Sequence, residues 1–190
     1  IYLNILWILF FVLGLGIFGF MPATASVTSI LRKWMNKEEI PSLIKEFWKQ
    51  YKESFLTSNI IGIVFFVIGY ILYLDVSILI GTESTVGKIL LSLTFMLIYI
   101  YFVTLLNFFP LYTRLEMSIF NYLKLSLTIG MSHPLTTLLM ILWLIIVGIL
   151  CMAYTVLLPL LSIVLLCLGL NWLSMIRIEK KYHVDRKIHD

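Results

Sequence analysis

Charged residues are scarce in this chain of 190 residues, where Asp, Glu, Lys and Arg together make up 13%. Soluble globular chains carry about 25%. Apolar residues make up 61% of the sequence, and the mean hydropathy is +1.03. This composition excludes an ordinary soluble domain, a disordered chain and a collagen-like repeat. The length suits one domain, so the sequence predicts a single membrane domain over residues 1–190.

Cysteine and histidine are also rare, with two and three residues respectively. Cys151 and Cys167 lie in apolar runs and form no C-x-x-C motif, which excludes a disulfide scaffold and favours small buried side chains. His133, His183 and His189 show no metal-ligand or catalytic spacing, and the sequence has no phosphate-binding loop or nucleophile elbow. We therefore expect no enzyme activity, no catalytic residue, no metal and no cofactor.

A G-x-G-x-x-G pattern does occur, from Gly14 to Gly19. A dinucleotide site would need a strand before this pattern, a helix after it and an acidic residue about 20 positions further on. Here the glycines lie inside an uncharged run, where small residues let helices approach closely in lipid. The pattern therefore favours helix packing over a cofactor loop.

Uncharged runs indicate where the chain crosses a membrane, because a charge at mid-bilayer costs several kcal/mol. Four such runs occur: residues 1–31, 54–74, 89–113 and 125–176. The last would be roughly 78 Å long as one helix, so it must fold back, and the turn is expected at Tyr154, Thr155 and Pro159. The sequence thus predicts an all-α integral membrane protein with five transmembrane helices, over 3–20, 54–73, 89–112, 135–152 and 157–175.

The basic residues are distributed unevenly around these five spans. Thirteen of the 14 Lys and Arg residues fall in two loops, 23–53 and 113–134, and in the tail, 176–190. The positive-inside rule places these segments in the cytoplasm, with the N-terminus outside and the C-terminus inside. Because the cations are spread over three segments, they give no argument for a nucleic-acid partner. The chain begins at Ile1 rather than methionine, so we expect further residues before it.

The first cytoplasmic loop contains an amphipathic helix. Leu43, Phe47, Tyr51 and Phe55 recur every four residues from Pro41 onward, and charged residues occupy the opposite face. Two interpretations stay open. The helix can lie in the lipid headgroup zone with Trp48 and Tyr51 as interface anchors, or it can dock another protein.

The second cytoplasmic loop has a similar pattern. Its polar stripe runs at helical spacing through Arg114, Ser118, Asn121, Lys124 and Thr128. We expect this helix to end at Gly130 and the fourth span to start after Ser132-His133-Pro134. Both amphipathic loop helices are then cytoplasmic.

Three segments resemble a known family. These are Phe18–Ser26 with the following Ile30–Trp34, then Phe47–Asn59, and Phe109–Glu116. Together they resemble the YesL-like family of small bacterial integral membrane proteins, which carries a domain of unknown function. Members of this family are commonly encoded beside carbohydrate-uptake ABC transporters and polysaccharide-degrading enzymes in Gram-positive bacteria.

The resemblance implies a role rather than an active site. It implies a multi-pass protein of the bacterial plasma membrane, an accessory subunit that packs against the permease of an oligosaccharide ABC importer. Two alternatives stay open: a stand-alone oligomeric transporter or channel, and a membrane regulator of carbohydrate uptake. The predicted spans contain no Asp, Glu, Lys or Arg, which argues against a proton-coupled transporter.

The candidate signature, lipid-contact or partner-contact residues come from the resemblance and from the first amphipathic helix. Pro22 and Thr24 are expected to end one helix and cap its continuation. The basic members are expected at the membrane boundary, where they meet lipid headgroups or a partner's acids, or act only as topology anchors. The full set is Pro22, Ala23, Thr24, Arg32, Lys33, Trp34, Trp48, Tyr51, Pro110 and Arg114.

Overall fold

The computed structural model describes residues 1–114, 118–154 and 161–176, and within these residues all regular structure is helical. The predicted all-α class is therefore confirmed. The helices are α1 (Tyr2–Leu13), α2 (Ile17–Met35), α3 (Leu43–Leu79), α4 (Thr85–Tyr112), α5 (Ile119–Ser132), α6 (Pro134–Ala153) and α7 (Leu161–Ile176).

Three of the described helices are long and apolar enough to cross a membrane, namely α3, α4 and α6. The predicted spans 89–112 and 135–152 agree closely with α4 and α6, and the span 54–73 lies inside α3. The shorter apolar helix α7 covers the described part of the span 157–175. The expected turn at Thr155 and Pro159 and the basic tail from 177 onward lie outside the described residues.

The predicted first span, 3–20, is not one helix. α1 ends at Leu13, and Leu15 and Gly16 then adopt positive φ values of 56° and 77° before α2 begins. The two helices form a hairpin in which Gly14 and Gly19 are in backbone contact, so that a Cβ on either would overlap the other segment. The prediction of a single span was wrong because charge patterns do not report a turn made by glycines inside an uncharged run.

Helix α2 forms the centre of the fold, so residues 23–31 are buried helical core and 32–35 continue the same helix, and the predicted loop over 23–53 was wrong for its first 13 residues. Every residue from Pro22 to Leu31 is buried, and α2 packs against α1, α3 and α4. The sequence permits this because Ala, Ser and Thr residues allow neighbouring helices to approach closely. Three of its buried hydroxyls, those of Thr24, Ser26 and Thr28, donate to the backbone carbonyl four residues earlier in the same helix.

Helix α3 joins two elements that the sequence analysis separated. The amphipathic segment that starts at Pro41 and the span that starts at Ser54 form one helix of 37 residues, about 55 Å long. The charged turns at the start of α3 are therefore continuous with its apolar segment, in one uninterrupted helix. They are not a separate loop helix, because no proline or glycine interrupts the chain between Leu43 and Ile61.

The second amphipathic helix is confirmed as α5, which ends two residues beyond the expected Gly130. It packs against the end of α4, where the Tyr122 ring lies 5.3 Å from Tyr112 and 6.2 Å from Phe108. Its position brings the first turn of α5 beside the ends of α2 and α4.

Candidate functional site: a cationic cleft

A polar concavity lies at one end of the helix bundle. It has a volume of about 650 Å³ and opens between the end of α2, the first turns of α3 and the end of α4, with α5 at its side. Its lining residues are Ala25, Arg32, Lys33, Gln50, Glu53, Ser54, Thr57, Tyr112, Thr113, Arg114, Ser118 and Tyr122.

The cleft is lined by charged residues that border three uncharged runs of the sequence. Arg32 is the first charged residue after the uncharged run of α1 and α2, Glu53 immediately precedes the apolar segment of α3, and Arg114 immediately follows that of α4. Charged residues border apolar segments at the membrane–water interface. The cleft therefore lies at the depth of the lipid headgroups in any membrane that these helices cross.

A chain of polar contacts fixes one wall of the cleft. Ser29 Oγ donates to Gln50 Oε1 at 3.0 Å, and Gln50 Nε2 donates to Glu46 Oε1 at 3.1 Å. The same Glu46 oxygen accepts from Lys33 Nζ at 2.7 Å. This chain joins α2 to the charged first turns of α3, which precede the apolar segment. There the hydrogen bond from Lys33 lowers the pKa of the Glu46 carboxyl, and it outweighs the opposing effect of partial burial.

Arg32 occupies a different position from Lys33, although the two are adjacent. Both lie in the last turn of α2, where a cation interacts favourably with the helix dipole. The Arg32 Nε atom is buried and has no hydrogen-bond partner among the described residues. A buried guanidinium donor without a partner is costly, so Arg32 Nε is a donor for which an acceptor in the cleft would be favourable.

The structure brings together three of the ten candidate residues named from the sequence. Arg32, Lys33 and Arg114 line the same cleft although they are up to 82 positions apart in the chain. Trp34 follows Lys33 in α2, is 47% exposed and is not one of the residues that line the cleft.

The two aromatic candidates of the first amphipathic helix have different environments. Tyr51 is 5% exposed, donates its hydroxyl to the Phe10 carbonyl at 3.3 Å and packs against the Phe10 ring. Its contacts are therefore with α1. Trp48 is 45% exposed, and the Lys52 ammonium lies 5.2 Å from its ring centroid. Only Trp48 of this pair presents a free surface.

The remaining candidates are parts of the core. Pro22 and Ala23 are buried in α2, and Pro110 is buried within α4. Thr24 was expected to cap a helix, and this prediction was wrong because Thr24 lies inside α2. Its hydroxyl donates to the Phe20 carbonyl at 2.7 Å and accepts from Trp7 Nε1 at 3.1 Å.

Sequence reasoning missed the hydroxyl-bearing wall of the cleft, formed by Ser54, Thr57, Tyr112 and Tyr122. Ser54 and Thr57 lie three residues apart on α3, but nothing in the sequence shows that this face meets the end of α4. Across the described residues, no three His, Cys, Asp or Glu side chains come together as metal ligands. The cleft offers cationic and hydroxyl donors, which suit an anion.

Comparison with known proteins identifies relatives of uncharacterised function. Residues 1–76 match the family described as "Protein of unknown function, DUF624". The chain is 35% identical to uncharacterized protein YteU of Bacillus subtilis (strain 168) over 141 residues, which is 74% of this chain and 63% of that protein.

Two further relatives come from the same organism. Uncharacterized protein YesV is 32% identical over 72% of this chain and 65% of its own length. Uncharacterized protein YesL is 31% identical over 73% of this chain and 65% of its own length. The chain thus covers just under two thirds of each relative, and no solved structure matches it significantly. The resemblance seen in the three sequence segments is confirmed: the chain is similar to YesL-like proteins of unknown function.

Proposed function

We propose that this protein is an accessory subunit of a carbohydrate ABC importer in the bacterial plasma membrane, and that it packs against the permease. The family resemblance suggests the importer. One structural observation supports a packing role: only 17% of the most apolar 18-residue stretch of α3, and of α4, is buried within the chain. These two helices leave an apolar surface for lipid or for another membrane protein.

The exposed surface of α3 is rich in aromatic residues. Phe66, Tyr70 and Tyr73 share one helix face and are all more than half exposed, and the first two rings stack at 6.5 Å. Protein interfaces are enriched in aromatic side chains. The exposed face of α6, formed by Leu138, Leu142 and Ile145, is aliphatic and suits lipid. The permease is therefore proposed to cover the α3 face.

The proposed orientation follows the basic residues. Arg32, Lys33 and Arg114 lie on the cytoplasmic side, α3, α4, α6 and the segment containing α7 cross the membrane, and the C-terminus is cytoplasmic. The expected N-out arrangement with five spans required an unbroken helix over 3–20. In its place, the α1–α2 hairpin enters the membrane from the cytoplasmic side, so that both of its ends face the cytoplasm.

The importer proposal is tested by purifying tagged protein from native membranes in a mild detergent and identifying the associated chains by mass spectrometry. Permease and ATPase chains are expected in stoichiometric amounts. The triple variant Phe66→Ala, Tyr70→Ala, Tyr73→Ala is expected to reduce their recovery at least fivefold. The matched control Leu138→Ala, Leu142→Ala, Ile145→Ala is expected to retain them.

Other outcomes would contradict the proposal. Recovery of this chain alone, at every detergent strength, would favour a self-assembling membrane protein, and solute flux in liposomes containing only this chain would then establish a stand-alone transporter. Normal sugar uptake in a deletion strain, combined with loss of a transcriptional response, would favour a regulator.

A further inference from the structure

We propose that the cationic cleft binds the phosphate of an anionic phospholipid, with the acyl chains following the groove between α2, α3 and α4 into the membrane. This inference does not require the importer proposal, although Phe66 of the proposed permease face also lines the apolar end of the groove. It rests on the depth, charge and shape of the cleft.

The charge of the cleft is suited to an anion. Three basic side chains line it, Arg32, Lys33 and Arg114, against one carboxylate, Glu53. Lys33 is already engaged by Glu46. The buried Nε of Arg32 has no partner among the described residues, and a guanidinium fork matches a phosphate well. Arg32 is therefore the main candidate for direct contact with the ligand.

The neutral donors of the cleft complement this charge. Ser54, Thr57, Tyr112 and Tyr122 line the cleft. The Ser54 hydroxyl already donates to the Gln50 carbonyl at 2.7 Å and Thr57 is hydrogen-bonded to Tyr112, so the tyrosine hydroxyls are the main neutral donors. Hydroxyl groups donate to phosphate oxygens, and tyrosine is favoured at the headgroup level of a membrane. The same set of donors would hold a phosphate group whether it belongs to a lipid or to a soluble molecule.

The groove beyond the cleft favours the lipid as the source. A second concavity, of about 540 Å³, follows the first along the same three helices. On α3 the polar cleft spans Gln50 to Thr57, and the second concavity continues from Asn59 to Phe66. Each of these two segments of α3 has eight residues and is therefore about 12 Å long.

The second concavity is apolar. Its lining includes Phe18 and Met21 of α2, Phe65 of α3 and Leu105 of α4. A polar, cationic mouth at the membrane boundary followed by an apolar groove toward the membrane interior has the polarity profile of a phospholipid, with a headgroup at one end and hydrocarbon at the other. A soluble phosphate has no hydrocarbon to place in the apolar concavity.

The test measures lipid binding by the full chain after delipidation in detergent, with native mass spectrometry as the readout. The probes are dihexanoyl phosphatidylglycerol, dihexanoyl phosphatidylcholine and inorganic phosphate. We expect phosphatidylglycerol to bind at least tenfold more tightly than phosphatidylcholine, because only the former carries a net negative charge. Inorganic phosphate is expected to compete weakly, since it cannot occupy the apolar groove.

Two variants separate the cleft from general lipid contact. Arg32→Gln combined with Arg114→Gln is expected to weaken phosphatidylglycerol binding at least tenfold. The control Lys45→Gln combined with Lys49→Gln removes the same charge from α3 outside the cleft lining and is expected to bind as the wild type does. If the arginine double variant fails to fold, Arg32→Lys keeps the charge but removes the fork, and is expected to weaken binding at least threefold.

Three results would overturn the proposal. Equal binding of the two lipids, or equal binding by the arginine and lysine double variants, would show non-specific lipid contact only. Inorganic phosphate binding as tightly as phosphatidylglycerol would assign the cleft to a soluble phosphate compound. Unchanged lipid binding by the arginine double variant, with loss of co-purified protein chains, would assign the cleft to an acidic segment of a partner.

Discussion

Asn59 of α3 donates from Nδ2 to the Phe18 carbonyl of α2 at 3.0 Å. In an unbroken helix this carbonyl accepts from the backbone N–H four residues later, but that residue is Pro22, which has no N–H. Asn59 thus supplies, from a neighbouring helix, the hydrogen bond that Pro22 cannot make. A proline inside a central helix is tolerated in an apolar environment when a neighbour satisfies the freed carbonyl.

This relationship predicts a specific coupling between the two positions. Asn59→Leu in the wild-type background is expected to destabilise the protein, because the Phe18 carbonyl loses its donor. In a Pro22→Ala background the backbone N–H is restored, so the same change is expected to cost less. The double-mutant cycle, measured by unfolding in detergent, is expected to give a coupling of about 0.5–1.5 kcal/mol. Equal costs in both backgrounds would show that Asn59 does not compensate for Pro22.

The contact between Gly14 and Gly19 predicts that the hairpin does not accept a methyl group. A Cβ at Gly19 would lie 2.8 Å from the Phe10 carbonyl oxygen and would also overlap the Phe11 backbone. Gly19→Ala is therefore expected to destabilise the protein by about 1–3 kcal/mol. The control is Gly148→Ala in α6, where a Cβ meets nothing within 4 Å.

That control is expected to leave stability unchanged or slightly raised, because alanine is the better helix former. Thermal unfolding in detergent compares the two variants. Equal melting temperatures for Gly19→Ala and Gly148→Ala would mean that α1 and α2 do not pack as closely as described.

These two features also show what could be predicted from the sequence. α4 was located closely because charged residues bound an apolar run of about one span. α6 lies in the longer uncharged run 125–176 and was located by Pro134 at its start and by the turn expected from Tyr154. The turn at Leu15 and Gly16 was not located, since both lie in an uncharged run and hydropathy is the same for a straight helix and a hairpin. Its signal was the Gly14–Gly19 pattern, which indicated close packing but not a reversal of direction.

The cleft was predictable only in part. Arg32, Lys33 and Arg114 were named from the family resemblance, and their positions after apolar runs gave their expected depth in a membrane. Their convergence depends on α2, α3 and α4 meeting at one end, which is a tertiary relationship. The hydroxyl residues Ser54 and Thr57 carry no signal of their own, because serine and threonine are common in membrane helices.

The ion pair between Lys33 and Glu46 predicts a stability that depends on pH. Because the pKa of Glu46 is lowered in the folded protein, its stabilising contribution is present above the ordinary carboxyl pKa and is lost as the pH falls through the folded value. Glu46→Gln is expected to cost about 0.2–1 kcal/mol at pH 7, as for a partly exposed pair.

This difference from the wild type is expected to shrink as the pH falls through the lowered pKa of Glu46 in the folded protein, because the carboxyl then becomes neutral like the glutamine. Melting temperatures measured between pH 3 and pH 7 provide the comparison. Glu39→Gln, an exposed position outside the described ion pair, serves as the control and is expected to follow the wild type. A cost for Glu46→Gln that is the same at both ends of the pH range would show that charge is not its source.

The α1–α2 hairpin predicts that Tyr2 lies on the cytoplasmic side of the membrane, whereas five spans would place it outside. With Cys151 and Cys167 replaced by serine, single cysteines at Tyr2, Trp34 and Val86 are all accessible in the folded chain, since each of these side chains is about half exposed or more. In intact spheroplasts, a membrane-impermeant maleimide is expected to label Val86→Cys, at the external start of α4, and to leave Tyr2→Cys and Trp34→Cys unlabelled. After permeabilisation, all three are expected to react. Labelling of Tyr2→Cys in intact spheroplasts would place α1 across the membrane and restore the five-span arrangement, because a hairpin with both ends in the cytoplasm has no route to the outer surface.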